Sequence, residues 1–116
     1  MSTETRIDRH HVNWRAAVIR EEHSRPIYGH ASEASESSII IQLPDALPVG
    51  LVCRVYLDIP APDSGRPDYV DFRVKIMETS LIGQVSEFRH VCKITDIQTQ
   101  QARLLVVAER TCGGKP

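Results

Sequence analysis

"FRHVCKITDIQTQQARLLVVAER", residues 88–110, changes its period midway, and that change sorts the fold. Phe88, His90, Cys92 and Ile94 fall at every second position and share one face, as a half-buried strand requires. Ile97, Leu104, Leu105 and Ala108 fall instead on one face of a helix, and the glycines of "TCGGKP" stop it. Thr95 with Gln98 reads as the capping box of that helix. His90 is expected as a partly buried core histidine rather than a ligand, since histidine is commonly intermediate in burial. The chain thus ends as a strand leading directly into a helix.

Working back towards the N-terminus, only strands appear. "YVDFRVKIM" (69–77) points Val70, Phe72, Val74 and Ile76 inward. "LVCRVYLDI" (51–59) sets Cys53, Val55, Leu57 and Ile59 against Val52, Arg54, Tyr56 and Asp58. "SIIIQL" (38–43) is β-branched and continuous, as a buried strand should be. "VNWRAAVIR" (12–20) alternates as well, with Val12, Trp14, Ala16 and Val18 on one face and Ile19 on the other. "EEHSR" turns it into "PIYGHA" (26–31), which makes a first hairpin. "PDALPVG", "PAPDSGRPD" and "LIGQVSE" read as connections, and "ASEASESS" (31–38) as a serine-rich turn feeding the isoleucines. About six strands and one C-terminal helix give an all-β fold, a small barrel or sandwich with the helix on one opening or edge.

At 116 residues the chain has room for one domain. It divides into a basic flexible lead-in (1–11), the barrel with its helix (12–109) and a tail (110–116). Its 14 basic and 15 acidic side chains nearly cancel, so no general affinity for nucleic acid is expected. No apolar run approaches the roughly 20 residues that span a bilayer, and the charged N-terminus lacks a signal-peptide core. Membrane insertion is therefore not expected. Cys53, Cys92 and Cys112 are odd in number with no close pair, which argues against a disulfide framework or a zinc ribbon. The expected compartment is the cytoplasm.

Catalysis finds little support. His10 and His11 are neighbours that would point in opposite directions on an extended chain, with no zinc-like spacing nearby. Ser35, Ser37 and Ser38 lack the strand-to-helix elbow of a hydrolase nucleophile, and Glu33 and Glu36 have no evident acid–base partner. Neither a phosphate loop nor a dinucleotide fingerprint occurs. The reading is of a protein that is not an enzyme and holds no metal or cofactor. Two stretches stand out together: "RIDRHHVNWR" (6–15), with Arg6, Arg9, His10, His11 and Arg15, and the serine-rich turn. Guanidinium groups match phosphate oxygens and the O6/N7 edge of guanine, so an arginine-rich lead-in can close over a guanine nucleotide seated on a barrel wall. A charged N-terminus is also common simply because it stays solvated, and composition alone favours that plainer reading.

In order and spacing, the chain resembles the PilZ domain family. The resemblance rests on the basic lead-in, the "VNWRAAV" strand and hairpin, the serine turn feeding "III", the phrase "LPDALPVGLVCRVYLDIP", and "FRHVCKITDI" running into a helix. It covers residues 6 to 108. It implies an all-β fold, a six-stranded antiparallel β-barrel with a C-terminal α-helix. It also implies a ligand, cyclic di-GMP, the bacterial second messenger of two guanosines and two phosphates. Family members hold it with an "RxxxR" lead-in and a "[DN]xSxxG" turn. Aligned on "VNWR", the two arginine positions fall at Ile7 and His11, with Arg6 and Arg9 close by. Glu33 stands where Asp or Asn is expected, Ser35 matches, and Ser38 replaces the glycine.

The ligand-binding set that the resemblance implies is therefore Arg6, Arg9, His11, Glu33, Ser35 and Ser38. An imidazole at position 11 offers fewer donors than a guanidinium. Glu33 moves its carboxylate out by a methylene, and Ser38 resists a positive φ and a close backbone approach. Losing one bidentate contact costs about 1–3 kcal/mol of base discrimination in comparable readout. Two functions follow. One is a cyclic di-GMP effector or adapter that signals through a protein partner and binds the nucleotide weakly. The other is an interaction module independent of nucleotide, using outward residues such as Ile19, Val52 and Tyr56. A single-stranded nucleic-acid binder is disfavoured by the scarcity of aromatic residues. Both leading readings require the lead-in and the serine turn to meet on the outside of one barrel.

Overall fold

A computed structural model describes residues 10–20, 25–60, 68–84 and 86–113. Six strands precede one helix: β1 (His10–Ile19), β2 (Ile27–Ala34), β3 (Ser38–Leu43), β4 (Val52–Ile59), β5 (Asp68–Ile82), β6 (Glu87–Asp96) and α1 (Thr99–Gly113). The strands close into a barrel in the order β1-β2-β3-β6-β5-β4, with β4 returning to β1 and every pair antiparallel. Closure leaves no sheet edge, so an all-β chain of this length satisfies its backbone without long exposed ladders. The architecture is the six-stranded barrel with a C-terminal helix that the sequence implies.

Alternation builds the interior. Trp14, Ala16 and Val18 of β1 point inward with Cys53, Val55, Leu57 and Ile59 of β4 and Val70, Phe72, Val74 and Ile76 of β5. Ile39, Ile41 and Leu43 complete the lining from β3, with Cys92 from β6. Each fully buried aliphatic side chain contributes roughly 1.5–3 kcal/mol by leaving water. Position 29 must be glycine because β2 and β3 approach closely: a Cβ there would lie 2.0 Å from the Gln42 carbonyl oxygen.

The Pro44–Gly50 connection is a loop, as expected, but it carries a core residue. Leu47 is fully buried; its N–H donates to His90 Nε2 at 3.0 Å and its carbonyl accepts from Thr79 Oγ1 at 2.7 Å. With Nε2 accepting, the His90 proton sits on Nδ1 and points to the Ile41 carbonyl at 3.3 Å. His90 is thus a fully buried, neutral bridge between the loop, β3 and β6, and burial pulls its pKa down despite the nearby Ile41 and Phe88 carbonyls. Gly50 takes φ +95 and leads the chain back into the ladder, where its N–H donates to the Ile76 carbonyl at 2.8 Å.

Three boundaries differ from the sequence reading. β1 begins at His10, so His10 and His11 belong to the barrel rather than to the lead-in. β6 runs to Asp96, which makes Thr95 a strand residue and removes the Thr95–Gln98 capping box. Helix α1 starts at Thr99 and continues to Gly113, with the Ala102 N–H donating to the Gln98 carbonyl at 2.9 Å. Of its expected face, Leu105 and Ala108 are buried, whereas Leu104 is exposed. The helix packs on β1 and β5, and Gln101 Oε1 accepts the Asp71 N–H at 2.8 Å. Third, β2 reaches Ala34, taking in half of the stretch read as a turn.

Candidate nucleotide site

The β2 extension comes from a bulge. Between His11 and Trp14, β1 advances three residues while β2 advances two, from Glu33 to Ala31. Between Ala31 and Glu33, β2 in turn advances two residues against one on β3. The irregularity lets Ala31 and Ala34, three apart, both bury completely, which a strict two-residue period forbids. The same irregularity leaves Glu33 half-buried beside His11.

Pairing then assembles one wall from four strands. His11 lies opposite Glu33, Glu33 opposite Ile40, and Ile40 opposite Val91. Paired residues project to the same side of a sheet, so these four share a face. Ile40 is fully buried although its phase is opposite to that of the barrel-lining Ile39 and Ile41. Two pairs along the ladder, Ser38 lies opposite Lys93, an exposed lysine. His10 pairs with Ala34, so β1 begins beside the end of β2 and its turn. The start of β1 and the serine turn therefore adjoin, and the lead-in itself lies outside the described residues.

The turn itself is built by Ser35. Its N–H donates to the Ser38 carbonyl at 2.8 Å. Its Oγ donates to the same carbonyl at 3.2 Å and accepts from the N–H groups of Ser38 at 3.1 Å and Ser37 at 3.3 Å. A hydroxyl has one donor and two acceptor sites, and all three are in use. The Ser37 carbonyl accepts from the Ile94 N–H at 2.9 Å, which ties the turn to β6. Among the described residues the only non-glycine with positive φ is Ser86, so the turn closes without a left-handed residue at Ser38. No positive φ is asked of Ser38, because it opens β3 in extended backbone.

Of the six residues in the implied set, His11 is exposed, Glu33 is half-buried, and Ser35 and Ser38 are buried in the turn. Arg6 and Arg9 lie outside the described residues. Lys93 was missed, because its proximity to Ser38 depends on the β3–β6 pairing between strands fifty residues apart in the chain, about half its length. No local signal carries that information.

Among the described residues no group of three or more His, Cys, Asp or Glu is placed to hold a metal. Burial pushes the Cys53 thiol up to about 11 and that of Cys92 up to about 12, so neither is a nucleophile near neutral pH. Among the described residues no helix is long and apolar enough to cross a membrane.

No family model matches the chain, and no curated protein matches it. Among solved structures it is similar to the Bacillus subtilis inhibitor of motility MotI/DgrA, with a TM-score of 0.78 at 13% sequence identity. The likeness covers 99% of this chain and 54% of the other, so this chain spans about half the length of that protein. At this identity the likeness is one of fold.

Proposed function

We propose that the chain is a single-domain cyclic di-GMP effector, an adapter that signals through a protein partner and binds its nucleotide weakly. The carrying observation is the register that sets His11 against Glu33 and Ser38 against Lys93, so that β1 begins beside the serine turn. In this reading Arg6 and Arg9 supply guanidinium groups to phosphate and guanine edges, His11 and Glu33 contact the base, and Lys93 adds a cation for phosphate. Ser35 and Ser38 hold the turn in shape rather than touching the ligand. Binding holds Arg6 and Arg9 over the wall, and the altered surface is what a partner reads. Fold similarity to a protein named as an inhibitor of motility supports a regulatory role. The test is calorimetry with cyclic di-GMP on the intact chain: saturable heat, lost in Arg9→Ala and reduced in Lys93→Ala, is expected. No heat at about 0.5 mM nucleotide refutes it.

A second reading is favoured by one observation, the complete use of the Ser35 hydroxyl within its own turn. A turn that stabilises itself does not need a ligand. On this reading the barrel is a nucleotide-independent interaction module. Recovery of one protein partner to the same extent with and without cyclic di-GMP would select it.

A further inference from the structure

On the outer face where β1, β4 and β5 run side by side lies a depression of about 480 Å³. Ile19, Val52 and Tyr56 give it an apolar and aromatic side, while Arg20, Arg54 and Arg73 give it a cationic one. It lies at the far end of β1 from the serine turn, with the strand's ten residues between them, about 30 Å of extended chain.

Register explains why so much positive charge collects there. Arg54 lies directly opposite Arg73 on the neighbouring strand, and Val52 lies opposite Lys75. Like charges facing each other across two strands destabilise a sheet. Compensation is partial. Asp71 forms an ion pair with Arg54, and Asp96 lies opposite Arg73 in the register. Arg20 and Arg73 are exposed residues lining the depression. In a chain whose net charge is −1, this concentration is local rather than a product of composition.

Tyr56 and Val52 are 40% and 48% exposed, so the apolar side is open to solvent. A flat ring can lie on Tyr56 while forked guanidinium groups take phosphate oxygens in pairs. The volume falls within the range of small-molecule sites and is too small for a macromolecular surface. We propose that this depression is a second ligand site, built for a phosphate ester that carries a planar ring, of the nucleoside phosphate class. It stands apart from the wall around Glu33 and Lys93 and does not depend on that wall's binding cyclic di-GMP.

The probe is ADP, titrated into the full-length chain while backbone amides are followed by NMR. Saturable shifts are expected at Ile19, Arg20, Val52, Arg54, Tyr56 and Arg73, with Glu33 to Ser38 unmoved. Arg73→Ala and Arg20→Ala should each weaken binding about tenfold or more, whereas His11→Ala should leave it within about twofold. Both arginines are exposed, so these variants test the site without dismantling the core. Inorganic phosphate should move the same residues at least about tenfold more weakly than ADP. No saturation below about 5 mM ADP, or shifts confined to Glu33–Ser38, would overturn the proposal. Phosphate binding as tightly as ADP would overturn it too, because the ring would then contribute nothing.

Discussion

Replacing His90 by leucine removes a side chain that joins the Pro44–Gly50 loop, β3 and β6. The Leu47 N–H and the Ile41 carbonyl each lose a partner inside a barrel where His90 is fully buried. A buried polar group left unpaired costs about 1–3 kcal/mol, so two cost roughly 2–6 kcal/mol of the 5–15 kcal/mol typical of a domain. The variant should also lose a pH dependence. The folded-state pKa of His90 is lowered, chiefly by burial, while an unfolded histidine titrates near 6.5. Its contribution is then complete above about pH 6.5 and is lost as pH falls through the folded-state pKa, at no more than about 1.4 kcal/mol per pH unit. Urea unfolding followed by circular dichroism at pH 7.5 and at pH 5.5 measures both effects. Carboxylates titrate in both proteins, so the difference between their pH slopes isolates His90. A variant within about 0.5 kcal/mol of the parent at pH 7.5, or one with the same slope, would refute the bridging role.

Other outcomes follow from the same packing. Gly29→Ala should destabilise by about 3 kcal/mol, at the upper end of overpacking costs, because the new methyl meets the backbone oxygen of Gln42; a stability loss below about 1 kcal/mol in urea would contradict the close approach. Ser35→Ala removes the acceptor for the Ser37 and Ser38 N–H groups and should cost about 1–3 kcal/mol, with amide exchange rising at both positions. Unchanged exchange there would mean that the turn holds itself by other means. In a Cys112→Ser background, Cys53 and Cys92 should resist thiol reagents at pH 8 until the chain unfolds, since burial keeps both protonated. Labelling of the folded protein at the rate of a free thiol would contradict their burial.

Much of the barrel was legible because period two survives wherever one face is buried. Val55, Leu57, Phe72 and Val74 point inward as their alternation requires, and Val52 and Tyr56 point outward. His90 was placed correctly in the core, though as a partly buried rather than a fully buried side chain. What failed was local. The bulge at Ser32 breaks the alternation just where serine and glutamate already suggest a turn, so the end of β2 was hidden. Leu47 sits in a proline-rich loop, and nothing in its neighbours indicates that it fills the barrel. Helix α1 starts later than its capping pattern because β6 uses Thr95 and Asp96 for pairing first. At the site, the start of β1 lies beside the end of β2, whereas Arg6 and Arg9 of the lead-in fall outside the described residues. Lys93 and the Arg20, Arg54 and Arg73 group were not anticipated, because only closure of the barrel brings those strands together.

Residue-level mapping of cyclic di-GMP on the intact chain tests the central claim most directly. The account predicts saturable amide shifts at His11, at Glu33 through Ser38 and at Lys93, the positions that pairing joins into one wall. Shifts that avoid those positions, or none at about 0.5 mM nucleotide, would contradict it.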